Sequence, residues 1–140
     1  MTRERTWLLL LVLIPALASA QQMPDPSLIN GKALPAPELP DGTITVRVVR
    51  ESIGNDIPNQ AVTLTATGRT RTATTDAQGR AQFTNLPVGE QGRAAATVDG
   101  EMLQSDPFTI PSSGGLRVIM VAGIKRAADR KAAEAAQAAA

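Results

Sequence analysis

The stretch that most constrains the fold of this chain is Thr74-Thr75-Asp76-Ala77-Gln78-Gly79-Arg80-Ala81-Gln82-Phe83-Thr84-Asn85-Leu86-Pro87-Val88-Gly89. It reads as strand end, tight turn, strand and second turn. Asp76 places a short carboxylate where it accepts hydrogen bonds from backbone N–H groups ahead of it, and Gly79 supplies the positive φ with which the chain re-enters a strand. Phe83 is the large inward residue of that strand. Leu86 closes a core beneath the Pro87-Val88-Gly89 turn. Turns this close together specify short β-strands joined by tight connections.

The flanking sequence keeps the same period. In residues 43–50, Ile44, Val46 and Val48 alternate with Thr45 and Arg47, the pattern of a half-buried strand. Residues 51–60 carry Gly54, Asn55 and Pro58 and form a loop, and residues 61–67 then alternate on Val62, Leu64 and Ala66. Residues 69–75 are polar on both faces except Ala73, as suits an edge strand guarded by charge. Ala81 and Phe83 point inward in 80–85, and Ala94, Ala96 and Val98 in 93–98. A Val98-Asp99-Gly100-Glu101 turn, a short strand at 108–110 and an apolar strand at 116–122 complete the series. Seven short strands separated by turn residues predict an all-β, antiparallel sandwich.

The turn-strand-turn motif, together with Ile57-Pro58-Asn59-Gln60-Ala61-Val62-Thr63-Leu64 and Val98-Asp99-Gly100, resembles the carboxypeptidase regulatory-like domains, also called transthyretin-like or prealbumin-like. The resemblance runs over about residues 41–123. It implies a seven-stranded Greek-key β-sandwich of immunoglobulin or transthyretin type, and a module that accompanies function rather than performing chemistry. Two positions depart from the family pattern. Gln91-Gly92-Arg93-Ala94 stands where an aromatic usually follows the Leu-Pro-x-Gly turn, and Ala81 replaces the first aromatic of an Arg-Phe-x-Phe pair.

The two ends of the chain are of different material. Arg3 and Arg5, the apolar run Trp7 to Leu17 and the small residues Ala18-Ser19-Ala20 have the anatomy of a secretory signal peptide over residues 1–20, cleaved near Ala20. The run is shorter than the roughly 20 residues of a membrane-spanning helix, so an uncleaved anchor is the weaker alternative. No cysteine follows it to carry a lipid. Residues 21–40 contain Pro24, Pro26, Pro35, Pro37 and Pro40 and read as a proline-rich linker or stalk. Residues 124–140 are alanine-rich, with high helix propensity but no large apolar residue after Ile124 to dock them. A frayed helix or flexible tail is expected there, and the ending in alanines suggests relatives that continue further.

Composition removes most chemistry. The chain has 14 Lys+Arg and 13 Asp+Glu; the leader takes Arg3, Glu4 and Arg5 with it, which leaves the mature chain balanced. Nucleic acid and anionic membrane surfaces are therefore not expected partners. With no histidine, cysteine or tyrosine, there is no hydrolytic triad, thiolate nucleophile or histidine metal site. Ser27, Ser52, Ser105, Ser112 and Ser113 stand in no nucleophile motif, and Ser112-Ser113-Gly114-Gly115 reads as a turn. Asp76 lacks the further oxygen ligands of a calcium loop. Asp99, Glu101 and Asp106 fall in one loop region and read as solvated. Sugar sites present aromatic faces, yet after the leader only Phe83 and Phe108 remain, both assigned to the core. No catalytic, cofactor or metal site is expected.

One surface remains as a candidate. If Leu116, Val118 and Met120 face the core, Ile119 and Val121 face outward, and so does Val49 on the first strand. These three are expected either to form an apolar patch for a partner domain, the linker or a second copy, or to be covered by residues 21–40 or the tail. Asp76, Gly79, Phe83, Leu86 and Gly89 are read as a structural turn and core motif. The functional expectation is an exported, non-enzymatic module, periplasmic or secreted, with a structural or protein-interaction role at the bacterial cell envelope. The rival expectation is a module that binds carbohydrate or another small ligand.

Overall fold

The computed structural model describes residues 25–139; the expected signal peptide lies outside them. The described residues build nine strands flanked by two helices: α1 (Pro26–Ile29), β1 (Ala33–Ala36), β2 (Ile44–Arg50), β3 (Ala61–Ala66), β4 (Arg69–Thr74), β5 (Arg80–Phe83), β6 (Gln91–Val98), β7 (Glu101–Gln104), β8 (Phe108–Thr109), β9 (Gly115–Ala122) and α2 (Ile124–Ala138). One sheet runs β1-β9-β2-β5. The other runs β4-β3-β6-β7, with β8 also paired to β6. The inward residues of both fill a common apolar core, among them Val46 and Val48 from β2, Val62 and Leu64 from β3, Phe83 from β5 and Met120 from β9.

Turn chemistry builds the motif at 74–89. Asp76 Oδ1 accepts from the amides of Gln78 at 2.9 Å and Arg80 at 3.0 Å. Gly79 takes φ 72°, and Phe83 and Leu86 are buried in the core. The Asp76–Gly79 turn carries the chain from β4 in one sheet to β5 in the other and is not a hairpin. Two hairpins use the two-residue turns in which both positions have positive φ, Thr67-Gly68 between β3 and β4 and Asp99-Gly100 between β6 and β7. That geometry matches the right-handed twist of the strands it joins.

Three sequence expectations are corrected. The sheet is not wholly antiparallel: β2 and β9 pair in parallel, from Ile44↔Leu116 to Arg50↔Ala122. The described strands number nine rather than seven, because β1 and β7 add to the expected series. Only Leu103 is buried in β7, so it shows little alternation to read. The third correction concerns the proline-rich stretch, whose described part belongs to the fold. Asp25 caps α1 through its bond from the Ser27 amide, with a proline opening the helix. β1 then pairs antiparallel with β9, with Pro35 opposite Leu116. Proline is compatible with an edge strand, where one backbone N–H faces away from the ladder. Its preference for extended backbone, which suggested a stalk, serves equally well for a strand.

The C-terminal segment is helical over α2, and no residue of it is buried. Ion pairs tie it to the sandwich, Arg130 to Glu51 at 2.7 Å and Arg126 to Asp99 at 3.7 Å. No helix of the described residues is long and apolar enough to cross a membrane.

Candidate functional site

The expected patch is the first place to look for a site, and most of it is closed. Val49 and Val121 are each 0% exposed, and only Ile119 of the three is partly accessible. Val49 and Val121 are register partners on the outer side of the β2–β9 pair and stand apart from the core between the sheets. At this end α1 packs against β9, the Asn30 side chain accepts from the Val121 amide at 2.9 Å, and Asp56 bridges back to Val49. Alternation assigned the side of the sheet correctly. Chain segments that carry no alternation supply the cover, so the pair is not a free docking surface.

The rest of that outer face is open. Register sets two rows of side chains across it. Leu34, Arg117, Thr45 and Gln82 form one row over β1, β9, β2 and β5, and Ile119, Arg47 and Arg80 form the next. Together with the Leu39 and Pro35 segment they line a cleft of about 540 Å³. Leu34 is 49% exposed and is the largest apolar surface of the cleft that faces solvent.

Its charges are partly tied. Arg47 donates from Nε at 3.0 Å and from a terminal nitrogen at 2.7 Å to the same oxygen of Asp56, which fixes the guanidinium against the sheet. Arg117 pairs with Glu38 at 2.7 Å. Arg80 makes no ion pair among the described residues. Asp76 Oδ1, at the rim of the cleft, is engaged by the turn amides. The cleft therefore offers one free guanidinium, the amide of Gln82, the hydroxyl of Thr45 and an apolar shoulder of Leu34 and Ile119. The face thus combines apolar and polar groups side by side.

The remaining candidates do not converge. Asp99 pairs with Arg50 at 3.1 Å, Asp106 with Lys32 at 2.7 Å, and Glu101 accepts from the Gly123 amide at 3.0 Å. Among the described residues no group of three possible metal ligands comes together. Phe83 and Phe108 are buried, so the described residues present no aromatic platform for a sugar. Ser105 is buried and accepts from the Ala94 amide at 2.8 Å, a structural bond between β6 and the chain after β7.

The family model of the carboxypeptidase regulatory-like domain matches residues 43–118, more than half of the chain. The chain belongs to the carboxypeptidase regulatory-like domain family. Among curated proteins no match to it is found. The domains of this family are non-catalytic β-sandwich modules. In this member the matched region supplies Thr45, Arg47, Arg80, Gln82 and Arg117 of the open face, whereas Leu34 and Ile119 lie outside it. Leu34 gives no signal in the sequence because its strand lies in a proline-rich stretch without apolar period. Thr45, Gln82 and Arg117 carry a signal only once the pairing of β5, β2 and β9 is known.

Proposed function

We propose that this chain is an exported, non-catalytic β-sandwich module whose role at the bacterial cell envelope is structural or protein-binding. The observation that carries the interaction role is the open outer face of the β1-β9-β2-β5 sheet. There Leu34 and Ile119 share a cleft with the free guanidinium of Arg80, while the Val49–Val121 end is closed. The Trp7–Leu17 run and the Ala18-Ser19-Ala20 sequence support export. Carbohydrate binding is the weaker reading, since no described aromatic reaches the surface.

Two measurements test the two halves of this reading. For export, the full chain is expressed in a Gram-negative host, and its N-terminus is sequenced from the periplasmic fraction. Gln21 as first residue is the expected result, and an intact N-terminus retained in the cytoplasm contradicts it. For the interaction role, an L34E/I119E variant is compared with the parent by cross-linking in the envelope of the native host. Loss of a specific adduct with Tm retained is expected. An unchanged pattern removes this face as the contact.

A further inference from the structure

The strand β4 ends the β4-β3-β6-β7 order and bonds to β3 alone. The Thr75 amide, next along the chain, donates to the Gln60 carbonyl on the β3 side at 2.9 Å. Backbone groups alternate in direction along a strand, so those of Arg69, Arg71 and Ala73 also point to β3. The two-residue Thr67-Gly68 turn sets the same phase, since it makes Ala66 and Arg69 a hydrogen-bonded pair. The amides and carbonyls of Thr70, Thr72 and Thr74 therefore point outward, and they meet no partner among the described residues.

The other edges are shorter or closed. β1 has four residues, one of them Pro35, which has no N–H to offer. On β5 the Arg80 carbonyl accepts from the Asp76 amide at 2.9 Å, and the Arg80 amide donates to Asp76 Oδ1 at 3.0 Å. β7 has four residues and β8 two, against six in β4. An unpaired edge of that length is a template for another strand, and its charged side chains decide which strand it accepts.

We propose that β4 pairs antiparallel with β4 of a second copy, on a two-fold axis through Thr72. Free groups then face free groups: Thr72 lies opposite Thr72, and Thr70 opposite Thr74 of the second copy. Each of these pairs exchanges hydrogen bonds, and threonines directly opposite one another are favourable cross-strand pairs. Arg71 falls opposite Ala73 of the second copy, so no cation faces a cation. Its guanidinium is folded back onto its own chain, where it donates to the Thr84 carbonyl at 2.7 Å. Moving the axis to Arg71 sets two guanidiniums opposite each other, and moving it to Ala73 leaves only residues 72–74 overlapping. The run Arg69-Thr70-Arg71-Thr72-Ala73-Thr74 is thus complementary to itself in one register, and its arginines work against the others. The pairing uses no residue that lines the outer-face cleft, so either reading can fail without the other.

The test uses single cysteines, which the chain otherwise lacks. In the paired edge the Thr72 Cα atoms stand about 5.5 Å apart, a span a disulfide bridges, and the Thr70 Cα atoms about 14 Å apart. Under mild oxidation, full chain carrying Thr72→Cys is expected to form a covalent dimer. Thr70→Cys alone and Thr74→Cys alone are expected to stay monomeric, and a mixture of the two to cross-link. Sedimentation velocity of the unmodified full chain is expected to show a monomer–dimer equilibrium. Thr72→Pro removes an outward amide and leaves the bonds to β3 whole, so loss of the dimer with Tm retained is expected. Thr72→Lys, on an exposed side chain, sets two ammonium groups opposite each other and is expected to do the same. Monomer at every concentration, equal cross-linking from positions 70 and 72, or a dimer lost in L34E/I119E but kept in Thr72→Lys would overturn the proposal.

Discussion

The backbones of Gly79 and Val48 are in direct contact: the Val48 amide donates to the Gly79 carbonyl at 2.8 Å, and a Cβ at position 79 would stand 2.7 Å from the Val48 carbonyl oxygen. The turn that Asp76 opens is therefore packed against the central strand β2, and the glycine serves two needs at once. It adopts φ 72°, and it lets the turn approach the strand. Gly79→Ala is expected to lower stability by about 2–4 kcal/mol, the combined scale of a left-handed non-glycine residue and a backbone overlap. Chemical denaturation measures it. By contrast Gly68→Ala, at φ 69° with nothing within 4 Å of its Cβ, should show only the conformational part, about 1–2 kcal/mol.

Contacts of this kind explain which parts of the fold the sequence discloses. Asp76, Gly79, Phe83, Leu86 and Gly89 are legible because a tight turn demands particular residue types at fixed offsets, and the family match over 43–118 agrees with them. β1 is not legible: Pro35 and its neighbours have no apolar period, and their strand exists only because β9 offers an edge. Val49 and Val121 show a different limit. Period two gives the side of a sheet, but not what lies over it.

Thr75 is buried at 3% exposure, and its hydroxyl bridges two segments. It donates to the Ile57 carbonyl at 2.6 Å and accepts from the Gln60 amide at 2.8 Å. Thr75→Val keeps the shape and leaves both backbone groups without a partner. A loss of about 1–3 kcal/mol is expected, seen as a Tm lower by about 5–15 °C. Thr75→Ser restores the hydroxyl and should recover a good part of that loss. Equal Tm values for the Val and Ser variants would contradict the assignment.

Asp25 carries a pH-dependent feature of the fold. Its carboxyl lies below the ordinary value of 3.8, first because the Ser27 hydroxyl donates to it, then through the Ser27 amide and the charge of Lys131 on α2. A group depressed on folding stabilises the fold above its unfolded value and loses that contribution as pH falls through its folded value. The α1 cap is thus intact at neutral pH and loosens only below pH 3.8. Carboxyl ¹³C titration of the full chain should find Asp25 below the usual aspartate range, and Ser27→Ala should move it upward. A titration at or above 3.8 in the parent would contradict this cap.

The helix α2 adds no buried residue to the fold, and its ties to Glu51 and Asp99 are between exposed side chains. Exposed ion pairs are worth about 0.2–1 kcal/mol each. The two pairs together are worth about 0.4–2 kcal/mol, so removal of residues 125–140 should lower Tm by about 2–10 °C. In 1 M salt, where screening acts within about 3 Å, the difference should close. A fall of about 20 °C or more, twice the upper end of that expectation, would mean that α2 contributes apolar contact after all.

Ile119 and Val121 stand two residues apart on the same side of β9, and their environments differ sharply. Val121 is 0% exposed beside Val49, under the α1 and Asn30 segment, whereas Ile119 borders the open cleft. Threonine at position 121 keeps the shape of valine but buries a hydroxyl in an apolar site, at an expected cost of about 1–3 kcal/mol. The same residue at position 119 can turn its hydroxyl to solvent, and the cost should stay below about 1 kcal/mol. Both variants are compared by thermal unfolding and by sedimentation velocity. If Val121→Thr leaves Tm unchanged but alters association, the cover over Val49 and Val121 opens in solution and the pair is a docking surface. The expected result is the reverse: Val121→Thr lowers Tm without changing mass, and Ile119→Thr leaves Tm close to that of the parent.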